Sequence, residues 1–358
     1  MSFPNQHKAE LETFSRLSCQ IGDRADYTQG GGGNTSVKTD DGIMAIKASG
    51  FRLSDITPTS AYAIIDYKPL ASFYYTNEPG DLEDVEKSGS SRAKELTLTD
   101  PDLPSLRPSV EAGFHSILKK YVLHSHAAYC NLAACCAEYE QILAEAFKDA
   151  SFTYAVVPYT DPGAKLTFII RDALMEKEKA DGKQPEVIIM INHGLVVHHD
   201  DPERALALHE EVNNLIAAYF GFDPAQYPAV ALKEQDDGSF TSDTAYLTEL
   251  LRSGKYPASA LLANPLYPDQ MVFFSGTLLP EGEPLRDGTC VIDPDTGIVT
   301  YRTKASQALA LEQVLTAVVF ILEKLAENGL HAQYMGQDAR SFIDNWESEK
   351  YRKSLQQK

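Results

Sequence analysis

Nine histidines are spread along this 358-residue chain, and three of them stand where a metal ion would want them. His124 and His126 occur as H-S-H at the end of VLHSH. Residues two apart on a strand point to the same face, so both imidazoles can reach one ion. His193 lies in I-N-H-G-L, where a strand of branched apolar residues ends in a glycine. A His-x-His pair with a distant third histidine suits zinc and similar ions and leaves a position open for substrate. Packed or surface histidines produce H-x-H as well; the N-H-G at a strand end and a carboxylate upstream shift the balance toward a metal. That carboxylate is Glu111, in P-S-V-E at the start of a helix. A metal that polarises a carbonyl needs a nearby group to move a proton on the adjacent carbon. Taken alone, a glutamate in a first turn merely suits the helix dipole.

The remaining histidines carry less. His198 and His199 are adjacent, so on a strand they face opposite ways, and Asp200-Asp201-Pro202 follows them as a turn. His209 sits inside an amphipathic helix, His115 one helical turn after Glu111 as a supporting or helix-face residue, and His7 and His331 show no pattern.

A second constellation is GGGGNTSVK, residues 30–38. It could be a linker, a nucleotide loop or an anion cradle. A P-loop needs Gly-Lys-Ser/Thr after its glycines, and a dinucleotide loop runs from strand into helix; this one runs from a helix into a hairpin strand. Ordered elements on both sides argue against a linker. A cradle remains, in which glycines permit close approach and Asn34, Thr35 and Ser36 donate to an oxygen-rich anion. Lys47, Arg52 and Arg107 lie near the same motifs, either as contacts to a phosphate or carboxylate or as solvated surface charges.

The elements that must position these residues follow from periodicity. Leu11, Phe14, Leu17 and Ile21 predict an amphipathic helix over 6–23. SVKT and IMAIKAS flank Asp40-Asp41-Gly42 as a hairpin, and AYAIIDY is a further strand. Residues 77–107 are predicted to be an exposed connection, and Pro108-Ser109 starts a helix, SVEAGFHSILKKY, capped by Ser109. A strand ending in VLHSHAAY, a helix at 130–147, the strand TYAVVPY, a helix at 161–180, the buried strand VIIMINHGLVVHH and a helix at 201–220 complete the first part. This order fits a sheet with helices on both faces but not a regular doubly wound sheet. Composition changes near residue 222, and a boundary at 225 is predicted. Beyond it lie a helix at 241–253, strands around QMVFFSG and GTCVID, a turn at 293–297, a helix at 305–328 and a last helix carrying Trp346.

The formal charge of −19 argues against nucleic-acid and anionic-membrane partners, which need a surplus of Lys and Arg. A local nest of amides can still hold a small anion. No apolar run approaches the roughly 20 residues of a membrane span. The N-terminus lacks a secretory pattern. The five cysteines, Cys19, Cys130, Cys135, Cys136 and Cys290, form no paired framework. A cytoplasmic protein with reduced thiols is expected.

In order and spacing, G-G-N-T-S (32–36), K-A-S-G (47–50), R-P-S-V-E (107–111), H-S-H (124–126) and N-H-G-L (192–195) together resemble the zinc-dependent class II aldolases of the adducin superfamily. Fuculose- and rhamnulose-1-phosphate aldolases and ribulose-5-phosphate 4-epimerase belong to it. G-G-G-N-T-S-V-K and R-P-S-x-E are most similar to the aldolase module of bifunctional rhamnulose-phosphate aldolase/lactaldehyde dehydrogenase proteins, although no G-x-G-x-x-G follows residue 225. The resemblance implies a three-layer αβα fold with a central, mostly antiparallel sheet over 1–225, followed by an α+β extension, 226–358, whose role it leaves open. It implies His124, His126 and His193 as ligands of Zn2+ (or another divalent transition metal) and Glu111 as the catalytic acid/base. It implies Gly33, Asn34, Thr35, Ser36, Ser49, Gly50 and Ser109 as the substrate-phosphate cradle, with Lys47 and Arg107 as further anion contacts. Val110 stands where simpler aldolases have a second serine. Tyr129, Tyr154 and Tyr159 are candidates for the tyrosine that fuculose-phosphate aldolase brings from a neighbouring subunit.

The implied reaction is retro-aldol cleavage of a phosphorylated ketose to dihydroxyacetone phosphate and an aldehyde, in a homo-oligomer, commonly a tetramer. A 4-epimerase or decarboxylase on the same scaffold is the second reading. A non-catalytic adducin-like binding module is the third, but it predicts loss of the metal ligands, and all are present.

Overall fold

The computed structural model describes residues 2–339. Its centre is an eight-stranded sheet built from β1 (Asn34–Lys38), β2 (Ile43–Lys47), β3 (Tyr62–Asp66), β4 (Thr97–Leu98), β5 (Tyr121–Ser125), β6 (Tyr154–Val157), β7 (Val187–Met190) and β8 (Gly194–His199). The order is β4-β3-β2-β1-β5-β8-β7-β6. Every neighbouring pair is antiparallel except β6 with β7.

Helices cover both faces because the strands alternate buried side chains between two apolar clusters. Val37, Ala45, Leu123, Leu195 and Val197 meet Leu11, Phe14 and Leu17 of the helix Lys8–Gly22, and Leu208 and Val212 of the helix Pro202–Tyr219. Met44, Ile46, Val122, Ile188 and Val196 meet Phe114 and Ile117 of the helix Ala112–Ile117, and Leu166, Phe168 and Ile170 of the helix Ala164–Asp181. The result is the three-layer α/β architecture with a mostly antiparallel sheet.

The C-terminal region is α+β. A four-stranded antiparallel sheet, in the order β11-β12-β10-β9, is formed by β9 (Leu232–Glu234), β10 (Phe240–Ser242), β11 (Thr289–Ile292) and β12 (Val299–Arg302). Beside it lies the helix Ala305–Glu327, whose Leu311, Val314, Leu315, Val318 and Ile321 join the same cluster as Leu11 and Leu208. The core therefore runs across residue 225 without a break.

Four expectations need correction. VIIMINHGLVVHH is two antiparallel strands, β7 and β8, joined by a tight turn in which Asn192 takes φ +53°. Asn is among the few residues that tolerate that region. Residues 77–107 are not a bare connection: they hold the helix Val85–Glu95, capped by Asp84, and the edge strand β4. QMVFFSG is no strand but part of the helix Pro268–Phe274, where proline suits the first turn and Phe273 and Phe274 are buried. Ala305–Glu327 is long and apolar enough to cross a membrane by length and composition, although 67% of its most apolar window is buried inside this core. Trp346 and its predicted helix lie outside the described residues.

Two core histidines bear on stability. Burial pushes His198 and His209 down to about 3, so both stay neutral inside the fold. An unfolded chain binds protons near its ordinary imidazole pKa, so the unfolded state takes up more protons than the folded one as pH falls below about 6.5. Each histidine is expected to cost up to about 1.4 kcal/mol per pH unit between pH 6.5 and 4. Urea midpoints should fall steadily over that range; a flat profile would show that these imidazoles are not held neutral.

Candidate functional site

The end of β5, the turn after it and the turn between β7 and β8 bring the three histidines together. Their ligand nitrogens lie within 4.8 Å of one another, and all three residues are buried. His124 ends up beside His193 because β5 pairs with β8 in the register Ser125 with Leu195. Gly194 is required at this crossing, since a Cβ there would sit 2.3 Å from the Ser125 carbonyl oxygen.

Hydrogen bonds set the imidazole tautomers. His124 Nδ1 lies 2.9 Å from the Leu195 carbonyl oxygen, which can only accept, so Nδ1 carries the proton and Nε2 a lone pair. His126 Nδ1 lies 2.5 Å from Asp269 Oδ2, with the same consequence. The two Nε2 atoms then face each other 3.1 Å apart. Glu111 adds its carboxylate: Oε2 lies 3.5 Å from His124 Nε2 and Oε1 lies 3.4 Å from His193 Nε2. Oε1 is buried without a hydrogen-bond partner among the described residues. Lone pairs and a carboxylate converging in a buried space repel one another unless a cation lies between them. Ligands at the 2.0–2.1 Å of Zn–N bonds in a tetrahedron stand about 3.3–3.4 Å apart, close to the spacings found here. The donor set thus fits a divalent transition metal.

Burial pushes His124 down to about 4 and His193 well below its ordinary value, so protons do not compete for these nitrogens at neutral pH. Burial pushes the Glu111 carboxyl up, but the imidazoles of His124 and His193 and the Asn34 amide more than offset it, leaving the group below its usual value.

Glu111 immediately precedes the helix Ala112–Ile117, which is shorter than predicted and has Glu111, not Ser109, at its cap position. Asn34 Nδ2 donates to Glu111 Oε2 at 2.5 Å and to Ser109 Oγ at 3.1 Å. Asn34 Oδ1 is held by His115 Nε2, and His115 Nδ1 bonds Ser36 Oγ at 2.7 Å. The relay Ser36–His115–Asn34 therefore points the amide of Asn34 at the catalytic candidate.

This arrangement revises the predicted cradle. Both amide hydrogens of Asn34 are engaged inside the protein. Ser36 supports His115 from the same face of β1. Thr35 faces the opposite side, where its hydroxyl bonds Ser18 Oγ at 2.6 Å, because strand neighbours alternate. Gly50 is exposed and does not line the pocket. Gly33, Lys47, Ser49 and Ser109 do line it, together with Val110, Glu111, His126 and His193. Gly33 takes φ +68°, and a Cβ there would stand 2.6 Å from the His124 carbonyl oxygen. The motifs K-A-S-G and R-P-S are joined backbone to backbone, Ser49 N to Arg107 O at 2.9 Å and Ser109 N to Lys47 O at 3.1 Å. Lys47 Nζ donates to the carbonyl oxygens of Phe51 at 2.7 Å and Gly31 at 3.2 Å, which folds the glycine loop over the pocket. Arg107 is not among the lining residues, and Arg52 donates to the Ser306 carbonyl.

Of the three tyrosines, Tyr129 donates to Asp26 and Pro224, and Tyr154 lines a separate groove along β6 that shares no residue with the histidine pocket. Tyr159 packs with Val272 around Met335, and Val272 lines the pocket. The sequence reading missed Pro162, Pro268, Asp269 and Val272, which line the pocket with the glycine loop and Asn34. No local signal marks Asp269; only its approach to His126 does.

Residues 17–220 match the family described as the class II aldolase and adducin N-terminal domain, and the chain belongs to that family. No curated protein matches it. Among solved structures, it is similar to the N-terminal class II aldolase domain of a conserved protein from Thermoplasma acidophilum, with 24% identity over 59% of this chain and 93% of that one, and a TM-score of 0.47. It is also similar to an L-fuculose 1-phosphate aldolase, with 18% identity over 59% of this chain and 84% of the other, TM-score 0.40. A sugar-phosphate aldolase from Thermotoga maritima shows 13% identity over 61% of this chain and 99% of the other, TM-score 0.40.

Proposed function

We propose that this chain is a zinc-dependent aldolase that cleaves a phosphorylated ketose by a retro-aldol reaction to dihydroxyacetone phosphate and an aldehyde. What carries the reading is the pair of lone-pair nitrogens, His124 Nε2 and His126 Nε2, 3.1 Å apart, with the Glu111 carboxylate 3.5 Å from the first of them and its Oε1 buried without a hydrogen bond among the described residues. A zinc ion held by His124, His126 and His193 would supply Lewis-acid polarisation of the ketone and adjacent hydroxyl oxygens. Cleavage takes a proton from the hydroxyl that becomes the aldehyde, and Glu111 would return one to the carbon freed by it, through Oε1, while Asn34 holds Oε2 in place. Ser109 Oγ accepts from both Asn34 and the Glu111 amide, so its own hydrogen is directed to substrate, and Ser49 lies beside it on the pocket wall. These hydroxyls, with Gly33 and Lys47, would receive the phosphate, and Tyr159, which packs with the pocket residue Val272, is the candidate among the three tyrosines for the second proton transfer.

In this reading residues 1–225 are the catalytic module and 226–358 an extension that closes its pocket, as Pro268 and Val272 on the wall support. A homo-oligomer, a tetramer by resemblance, is part of the same proposal. The test is a screen of zinc-loaded protein against rhamnulose 1-phosphate, fuculose 1-phosphate, ribulose 5-phosphate and acidic sugar phosphates, with products identified. Release of dihydroxyacetone phosphate from a ketose 1-phosphate is expected. Epimerised pentose phosphate or carbon dioxide instead would move the reaction to the epimerase or decarboxylase reading, and zinc-free protein indifferent to added metal would remove all enzyme readings.

A further inference from the structure

We propose that Asp269, from the C-terminal region, is a positioning residue for His126, so that the extension completes the metal centre and does more than cover it. The inference rests on the metal-site reading above. Asp269 Oδ2 stands 2.5 Å from His126 Nδ1, and both side chains are buried. A carboxylate accepts here, which fixes the proton on Nδ1, turns the Nε2 lone pair toward His124 and raises the basicity of the ring. Charge agrees with this role. Three neutral imidazoles with Glu111 alone carry one negative charge; Asp269 brings a second, matching a divalent ion.

The chain is shaped to admit this contact. A Cβ on Gly32 would lie 2.2 Å from Asp269 Oδ2 and 2.9 Å from His126 Nδ1, and a Cβ on Gly30 would lie 2.4 Å from the Phe273 ring. The glycine tract is thus the seat of the helix Pro268–Phe274 as well as a loop beside the substrate pocket. Two further contacts hold its neighbours, the helix Ala305–Glu327 that packs on it and the segment just before Pro268. Gly30 N donates to Gln313 Oε1 at 3.0 Å, and Asn192, the neighbour of His193, donates to the carbonyl oxygens of Leu266 at 2.9 Å and Gln333 at 2.7 Å. Residues flanking the histidines therefore grip the segment that delivers Asp269.

The experiment compares full-length wild type, Asp269→Asn and Asp269→Ala at one pH. Zinc is titrated in competition with a chromophoric chelator, and the visible spectrum of the cobalt-loaded proteins is recorded. Loss of such an outer carboxylate typically weakens metal binding by about 10–100-fold. Asp269→Ala is expected near the upper end with an altered cobalt spectrum. Asp269→Asn, which keeps the shape and an accepting oxygen, should show a smaller loss and a spectrum closer to wild type. It also keeps the test open if the alanine variant does not fold. Equal zinc affinity in wild type and Asp269→Asn, with an unchanged cobalt spectrum, overturns the role of Asp269 alone. Wild-type protein that binds no zinc overturns the metal-site reading and this inference together.

Discussion

Glu111→Gln is expected to lower turnover by roughly 10²–10⁴-fold, the usual contribution of a positioned acid/base. Glutamine keeps the shape and can still accept from Asn34 Nδ2, so the substitution removes mainly the capacity to carry a proton. The carboxylate has one oxygen tied to Asn34 and the other buried without a hydrogen-bond partner among the described residues. A purely structural glutamate would have both oxygens satisfied, because an unpaired buried acceptor is costly. Steady-state kinetics on the substrate that emerges from the screen, with metal content measured in parallel, is the check. The fall should appear in kcat more than in KM. Turnover within tenfold of wild type would leave Glu111 no part in the proton transfer.

The second large effect is expected from His124→Ala. His124 is fully buried, its Nδ1 is fixed by the Leu195 carbonyl, and its Nε2 faces both His126 and Glu111. Structural zinc sites bind with about 10–16 kcal/mol over four ligands, so one ligand is worth about 3 kcal/mol, a hundredfold or more in affinity. The variant should lose its metal on dialysis, and activity should return only in part at high zinc. Elemental analysis of dialysed protein decides it; a full complement of zinc in His124→Ala would place the metal elsewhere. The ring also packs edge-on to Phe114 at 5.9 Å, so thermal unfolding of metal-free wild type and variant should be compared to separate lost packing from a lost ligand.

Much of the fold was readable from pattern. Short runs of apolar and β-forming residues marked β2, β3 and β5, and spacings of three and four, the sign of one buried face, marked the helices Lys8–Gly22 and Pro202–Tyr219. Pattern failed where two apolar runs follow each other closely or where neighbours decide. In VIIMINHGLVVHH the runs VIIMI and LVV are apolar on both faces and give no periodicity, so the stretch reads as one strand although Asn192 and Gly194 offer a turn. In QMVFFSG, the β-forming residues Val272, Phe273 and Phe274 argued for a strand; Pro268 in the first turn and a seat against Gly30 made it a helix. Thr35 was placed in the cradle by resemblance, and simple strand alternation turns it away.

By itself, the sequence determined the residue types of the candidate site and the local elements that carry them. H-S-H, N-H-G and P-S-V-E are short patterns whose chemistry can be read without knowing what they touch. Only the tertiary structure decided which of them meet, which way each ring is turned and what closes the pocket. Asp269 and His126 are 143 positions apart, and no local pattern links them. Their pairing exists because the core continues past residue 225, the helix Ala305–Glu327 packs into it, and glycine at 30 and 32 leaves room for the helix Pro268–Phe274 to approach. Contacts between distant segments depend on the packing of everything between them, and that packing is a property of the whole chain.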